Sequence, residues 1–164
     1  MSSSAVRIAP ASQHDVPLIL EMIRGLADYE QLAHEVEASE ERLRQSLFGE
    51  RPAAAVSLAY VEDVCAGFAV YFPTYSTFLA QEGMYLEDLY VRPEYRGQGI
   101  GFALLRHLAG LCRERNYGRL EWSVLNWNEP SIQFYKRLGA VPLDEWTRYR
   151  LAGDSLRTLG EEIG

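Results

Sequence analysis

The sequence is short of several things at once. Its 164 residues include two cysteines, Cys65 and Cys112, and one lysine, Lys136, against fifteen arginines. Two thiols make no disulfide framework, and no CxxC or HExxH spacing is present, so no metal site is expected. No apolar run approaches 18 residues, so no membrane span is expected. The opening MSSSAVRIAP lacks a basic stretch followed by an apolar run. No secretory signal is therefore expected, and the expected compartment is cytoplasmic. Repeats, low-complexity tracts and Pro/Gly/Ser-rich linkers are missing as well. Residues 1–164 thus read as a single domain, long enough to bury a core without staples. A net charge of −7 disfavours nucleic acid as partner and mildly favours cationic ligands.

What is present is an alternation of strand and helix signals. Residues 5–9 read as a short strand. Val16, Ile19, Leu20, Ile23, Leu26 and Ala27 then recur at helical spacing. Ser12 and Asp15 both offer caps for that helix, and Pro17 must fall in its first turn. Residues 39–48 form a second expected helix, opened by Ser39 and closed by Gly49. Strands are expected over 54–61 and 65–72, joined by a tight turn at Glu62 and Asp63. Residues 73–83 read as an irregular aromatic segment, and 84–91 as a strongly strand-forming run. Ile100, Leu104, Leu108 and Leu111 mark a long helix ending near Asn116. A strand over 120–125 comes next, then a helix over 129–138 capped by Asn128 and stopped by Gly139. A last strand is expected over 146–151 and a tail helix over 154–163. This order predicts an α/β fold with a mixed sheet and a parallel crossover around the long helix.

Between the strand ending at Val91 and the long helix lies Arg96-Gly97-Gln98-Gly99-Ile100-Gly101. Closely spaced glycines let backbone N–H groups approach a ligand, and with the helix N-terminus they form an anion site. The dinucleotide GxGxxG fails because position 102 is Phe, and no Gly-Lys-Ser/Thr follows as a P-loop requires. What remains, Arg96-x-x-Gly99-x-Gly101 after an apolar strand, resembles the pyrophosphate loop of the GNAT superfamily of N-acetyltransferases. Val91-Arg92-Pro93-Glu94-Tyr95 is similar to that family's approach to the loop.

Two further stretches resemble the diamine (spermidine/spermine-type) branch. They are Tyr85-Leu86-Glu87-Asp88-Leu89-Tyr90-Val91 and the run from Trp127-Asn128-Glu129-Pro130-Ser131 to Phe134-Tyr135-Lys136 and Gly139-Ala140. Weaker similarity covers 18–29, 48–49 and 71–75. The resemblance implies the GNAT fold, a central mixed, mostly antiparallel sheet with helices on both faces. It also implies acetyl-CoA as co-substrate, a small-molecule amine as acceptor and a homodimer, with the C-terminal strand or the aromatic loop at the interface. Leu89, Tyr90 and Val91 would hold the acetyl-pantetheine arm. Arg96 would join the cofactor site, and Gly97, Gln98, Gly99, Ile100, Gly101 and Phe102 would hold the pyrophosphate. Asn128, Glu129, Pro130 and Ser131 would contact the CoA arm. Tyr135 matches the family's catalytic tyrosine, while Tyr29, Glu30 and Glu87 match the lining of the amine pocket. Polyamine-specific relatives carry Asp-Pro-Trp where this chain has Ser76-Thr77-Phe78, nearer the thialysine-type pattern. Ser76 and Phe78 are accordingly expected at the substrate, with a lysine-like amine favoured over spermidine. Glu82 is the nearby carboxylate that would compensate.

An amine attacks a thioester only as the free base, yet an alkyl amine's pKa near 10 leaves about one part in a thousand reactive at neutral pH. A carboxylate that binds the ammonium and takes its proton answers that need. In a regular strand Glu87 and Asp88 point to opposite faces. Glu87 is expected in the pocket as the base, and Asp88 paired with an arginine or bound to a neighbouring backbone group. A backbone N–H near Val91 would stabilise charge on the carbonyl, and the Tyr135 hydroxyl would protonate the departing thiolate. Arg92 and Arg96 are within reach of phosphates. Cys65 and Cys112 read as core, and His107 as a helix-surface residue. A protein lysine or N-terminal acetyltransferase, and a non-catalytic acetyl-CoA-binding module, remain as alternatives.

Overall fold

The computed structural model describes residues 5–161. Its contacts divide the chain into two units, Met1–Leu125 and Asn126–Gly164.

The first unit is built on a five-stranded sheet in chain order. Its strands are β1 (Val6–Pro10), β2 (Ala55–Val61), β3 (Val64–Ser76), β4 (Gln81–Val91) and β5 (Leu120–Trp122). The first three pairings are antiparallel and β4–β5 is parallel, the mixed, mostly antiparallel sheet expected. Between β1 and β2 run α1 (Val16–Tyr29) and α2 (Glu40–Phe48); α3 (Ile100–Glu114) makes the β4–β5 crossover. The two cap candidates, Ser12 and Asp15, cap a short turn ahead of α1 rather than α1 itself, whose N-cap Asp15 makes no side-chain hydrogen bond to it. Ser12 Oγ accepts from His14 N, and Asp15 Oδ2 accepts from Ser12 N at 2.8 Å, closing a one-turn 3-10 helix ahead of Val16. Pro17 then falls in the first turn of α1, where a missing N–H costs nothing.

The helices cover opposite faces. Ile19 and Met22 of α1 pack with Val56, Leu58, Phe68, Val70 and Tyr90 in one buried cluster. Strand alternation turns Ser57 the other way. There its Oγ meets Tyr71 Oη at 2.9 Å and His107 Nε2 of α3 at 3.5 Å. His107 therefore sits against a buried hydroxyl of the sheet rather than on an outer helix surface. Cys112 of α3 contacts Met84 Sδ of β4 at 3.9 Å on this same face.

The segment 73–83, expected to be irregular, is instead a continuation of β3 and β4 into a long hairpin, with Ser76 opposite Gln81. Pro73 misled because proline is excluded from central ladders. Here pairing to β2 ends at Tyr71, while β4 goes on to pair with β5, so β3 is the edge strand of the sheet at Pro73. Its partner Met84 sends its N–H the other way, to Arg119 O at 2.9 Å. The Pro73–Met84 pair is thus of the non-hydrogen-bonded kind, and the proline nitrogen faces the open edge. β5 is shorter than the predicted 120–125.

In the second unit, α4 (Glu129–Arg137) begins at the predicted cap, Asn128 Oδ1 accepting from Ser131 N at 3.4 Å. It ends at Gly139, whose φ of 87° is the left-handed conformation that suits glycine. The strand expected over 146–151 is not formed. No described strand pairs with that segment, which leaves Trp146 and Tyr149 exposed, and an extended run without a partner gains no ladder bonds. α5 (Gly153–Glu161) is the tail helix; its predicted end at residue 163 lies outside the described residues.

Candidate active site

The register of β4 sets the geometry. Val70 pairs with Asp88 and Tyr71 with Leu86, so Glu87 is an extra residue with no partner in β3, a β-bulge. Val70 and Tyr71 are neighbours and point to opposite faces; Leu86 and Asp88 must therefore do so too, although they are two apart. Before the bulge, even-numbered Met84 faces α3. After it, Tyr90 faces α1, so close that a Cβ on Gly25 would lie 2.6 Å from the Tyr90 hydroxyl. Asp88 shares that second face and lies beneath the end of α1, where Tyr29 and Glu30 sit.

Three carboxylates gather there. Burial pushes Asp88 up to about 6, with further contributions from the charges of Glu87 and then Glu30. Burial likewise raises Glu30, while Glu87 is exposed at the bulge. Among the described residues Asp88 has no arginine partner and no side-chain hydrogen bond. The expectation that Asp88 is held by an arginine is corrected. The bulge removes the regular alternation on which it rested, and Arg92, on the same strand end, pairs with Glu21 instead: its Nη1 donates to Glu21 Oε1 at 2.9 Å.

The bulge also coincides with a fork. β5 pairs only with Met84, Tyr85 and Leu86. From Glu87 onward the β4 edge on that side has no strand beside it among the described residues. Arg92 N donates to Ala66 O of β3 at 2.8 Å; by alternation the N–H and C=O of Val91 and Leu89 point to the open edge. The Val91 carbonyl there accepts from Arg96 Nε at 3.0 Å, which leaves the Val91 N–H presented along the edge. The Tyr85 hydroxyl and Ser123 Oγ, 2.8 Å apart, bridge the two strands at the fork.

The loop beyond β4 is backbone-rich. Gly97 and Gly99 both have φ of 79°, and Gly99 caps α3 without any side-chain hydrogen bond to the first turn. A Cβ at either glycine would meet nothing within 4 Å. Their requirement is therefore conformational rather than steric. The first-turn amides of a 15-residue helix, near Ile100, Gly101 and Phe102, stay open to an anion. Ile100 is buried and anchors the helix start, whereas Gln98 and Phe102 are exposed. The Arg96 guanidinium stacks over the rings of Tyr29, at 4.7 Å, and Tyr90, at 5.7 Å.

Of the residues expected at the site, Tyr29, Glu30, Glu87, Leu89, Tyr90, Val91, Arg96 and the glycine loop all lie at this end of β4. Ser76 and Phe78 do not. They sit at the hairpin tip, about 17–20 Å along the ribbon from Glu87 at the usual rise per residue. There Ser76 Oγ accepts from Leu79 N at 3.2 Å and Phe78 is 95% exposed. Glu82 lines a small depression of about 50 Å³ at the same tip, with Ser76 and Arg119. Asn128, Glu129, Pro130, Ser131 and Tyr135 belong to the second unit, on the cap and body of α4, where the Tyr135 and Phe134 rings lie 5.7 Å apart. The place of Asp88 and the Arg96 stack are what sequence reasoning missed. Burial pushes the Cys65 and Cys112 thiols up, which suits core residues better than nucleophiles.

The chain is similar to known proteins along nearly its whole length. The thialysine N-epsilon-acetyltransferase of Sus scrofa is 38% identical, with 95% of this chain and 98% of that protein covered. The L-ornithine N5-acetyltransferase NATA1 of Arabidopsis thaliana is 32% identical over 93% of this chain and 87% of that one. Among solved structures, an integron cassette protein from the mobile metagenome of V. cholerae superposes with a TM-score of 0.80 at 30% identity, covering 99% and 100% of the two chains. The acetyltransferase (GNAT) family matches residues 20–140. With a sheet that forks beside an open glycine loop and relatives alike over nearly their whole length, the chain is an acyltransferase of the acetyltransferase (GNAT) family.

Proposed function

We propose that this enzyme transfers the acetyl group of acetyl-CoA directly to a primary amine of a small molecule, a lysine-like amine in preference to spermidine. The observation that carries the reading is the adjacency of two features: the Glu30, Glu87 and Asp88 carboxylates at the bulge, and the open amides at the start of α3. The carboxylates recognise an ammonium; the amides, with the Gly97 and Gly99 backbone, suit a pyrophosphate.

In the proposed reaction Glu87 takes a proton from the bound ammonium, directly or through water, and frees the nitrogen lone pair. The amine nitrogen bonds to the thioester carbon while the Val91 N–H stabilises the charge gathering on the carbonyl oxygen. As the C–S bond breaks, the Tyr135 hydroxyl gives its proton to the departing sulfur, and the second proton that the nitrogen sheds as it becomes an amide passes through water to restore the phenol. Leu89, Tyr90 and Val91 guide the pantetheine arm along the open edge, and Asn128, Glu129, Pro130 and Ser131 contact it from the cap of α4. The resemblance further supports a homodimer, with the hairpin tip bearing Ser76 and Phe78 or the C-terminal segment at the interface. A cytoplasmic enzyme without metal or nucleic acid is in keeping with the composition, and among the described residues no helix is long and apolar enough to cross a membrane.

The lysine-like preference draws support from the names of the thialysine- and ornithine-acetylating relatives. A fixed carboxylate for a remote ammonium contributes on the order of 10–150-fold in specificity. Initial rates with acetyl-CoA and a panel of thialysine, ornithine, spermidine and a lysine-bearing peptide test the whole reading. Thialysine is expected to exceed spermidine in kcat/KM by about tenfold or more. Turnover of the peptide alone would replace the small-molecule reading with a protein acetyltransferase, and acetyl-CoA binding without turnover of any amine would leave a binding module.

A further inference from the structure

Resting on the proposed function, we infer that Arg96 is a positioning residue that ties the amine pocket to the phosphate loop. It acts through ring faces rather than through its charge on a phosphate.

Three contacts fix Arg96. Its Nε donates to Val91 O at 3.0 Å, on the open edge of β4. Its guanidinium lies over the Tyr29 ring at the C-terminal end of α1, at 4.7 Å, and over the Tyr90 ring of β4, at 5.7 Å. Tyr29 and Arg96 are 67 positions apart in sequence and come from different elements. No carboxylate pairs with Arg96 among the described residues. The side chain therefore spends its planar face on two aromatic rings and its Nε–H on a backbone carbonyl, a combination that an ammonium cannot reproduce.

The loop beyond Arg96 is where such an anchor is useful. Gly97 and Gly99 both adopt positive φ, and Gly99 supplies no side-chain cap to α3. Glycines of this kind gain conformational freedom when the loop is not held, and a binding loop that must be ordered by its ligand binds it more weakly. Arg96 stands immediately before the first of them. Its stack on Tyr29 fixes the loop to the helix whose next residue, Glu30, belongs to the carboxylate cluster. Because Tyr90 also carries the face beyond the bulge, one guanidinium joins the end of α1, the catalytic end of β4 and the start of the loop. A disturbance at Tyr29 should then be felt by the CoA site, although Tyr29 belongs to the amine pocket.

The test measures CoA affinity by calorimetry without amine, and steady-state constants with thialysine. Arg96→Lys keeps the positive charge but loses the planar face. It is expected to raise KM for both acetyl-CoA and amine by about three- to tenfold while changing kcat by less than about twofold. Tyr29→Leu, which removes the ring, is expected to weaken CoA binding by a similar factor. Two results overturn the inference: Tyr29→Leu binding CoA like wild type, or Arg96→Lys raising KM for acetyl-CoA alone. Should Tyr29→Leu fail to fold, the Arg96→Lys amine KM decides by itself. A wild-type protein that binds no CoA would count against the proposed function, whereas wild-type binding with an indifferent Tyr29→Leu counts only against the tie.

Discussion

The β3–β4 ribbon has two ends, and they are built differently. At the tip, Ser76 pairs with Gln81, Ser76 Oγ closes the turn on Leu79 N, and Gln81 Nε2 reaches Asn116 O at 2.6 Å. Polar groups there satisfy one another, and Phe78 projects into solvent. At the other end a bulge, a fork and a glycine loop leave polar groups without such partners. Among the described residues Asp88 has no cation, the edge beyond Leu86 has no strand, and α3 has no side-chain cap. A folded chain tolerates unmet groups of this kind where a ligand completes them. The proposed chemistry draws on the unsatisfied end, whereas the polar groups at the tip already have partners within the chain.

The contrast is tested most severely at the bulge. Glu87→Gln keeps size and hydrogen bonding but cannot accept a proton, so kcat should fall by about 10²-fold or more with acetyl-CoA affinity intact. A loss under about threefold at saturating amine would remove Glu87 from the proton transfer. Next in size is Gly99→Val. A branched residue at φ 79° is strained whatever the space around it, and the first-turn amides of α3 should be displaced. CoA binding by calorimetry is expected to weaken about 10- to 100-fold, since a strain of about 1–3 kcal/mol must be met. Wild-type affinity in a folded variant would place the pyrophosphate elsewhere.

Asp88→Asn probes the same end through pH. With Asp88 held near 6, the wild-type kcat/KM should fall as pH drops through 6, because the cluster loses a charge that attracts the ammonium. In Asp88→Asn that limb should disappear. Stability moves the other way. A carboxyl raised above its ordinary value binds its proton more tightly in the folded state, so ionisation costs stability, fully above about pH 6 and not at all well below about pH 4. Asp88→Asn should therefore be more stable than wild type at pH 7, by about 1–3 kcal/mol, and the gain should shrink toward pH 4. A thermal melt series at pH 4 and 7 reads it. The smallest effect is expected at the tip, where Ser76→Ala should change kcat/KM for thialysine by less than about threefold, the value of one neutral hydrogen bond at most. A larger loss would mean that the tip does reach a substrate.

Much of this molecule can be read from its residues, and the failures have causes. Periodicity located α1 and α3, and strand-forming runs located β1, β2 and the inner parts of β3 and β4, whereas residues 146–151 had the composition of a strand but no partner to pair with. Gly97, Gly99 and the Asn128 cap were legible because positive φ and capping demand particular residue types. The hairpin was not, since Pro73 looks like a breaker until one knows which edge its nitrogen faces. The bulge was invisible for a different reason. Glu87 carries no glycine or other signature, and only the pairing of Val70 and Tyr71 across the sheet reveals the extra residue. The Arg96–Tyr29 stack joins positions far apart in the chain, which no local pattern encodes.

Glu87 is also a spare rung. Because Leu86 and Asp88 already take consecutive partners in β3, excising Glu87 would close the ladder without turning any later side chain over. Asp88 and Tyr90 would keep their places under α1, while the extra twist of the bulge and the exposed carboxylate would go together. Excising Asp88 instead would let Glu87 slide into its slot opposite Val70. Either shortened chain retains a complete strand, whereas lengthening this stretch by one residue would have to be absorbed by a wider bulge. The slack that makes the strand indifferent to losing a residue here is the same slack that displays the Glu87 carboxylate, so excising Glu87 should leave a folded protein without the proposed base.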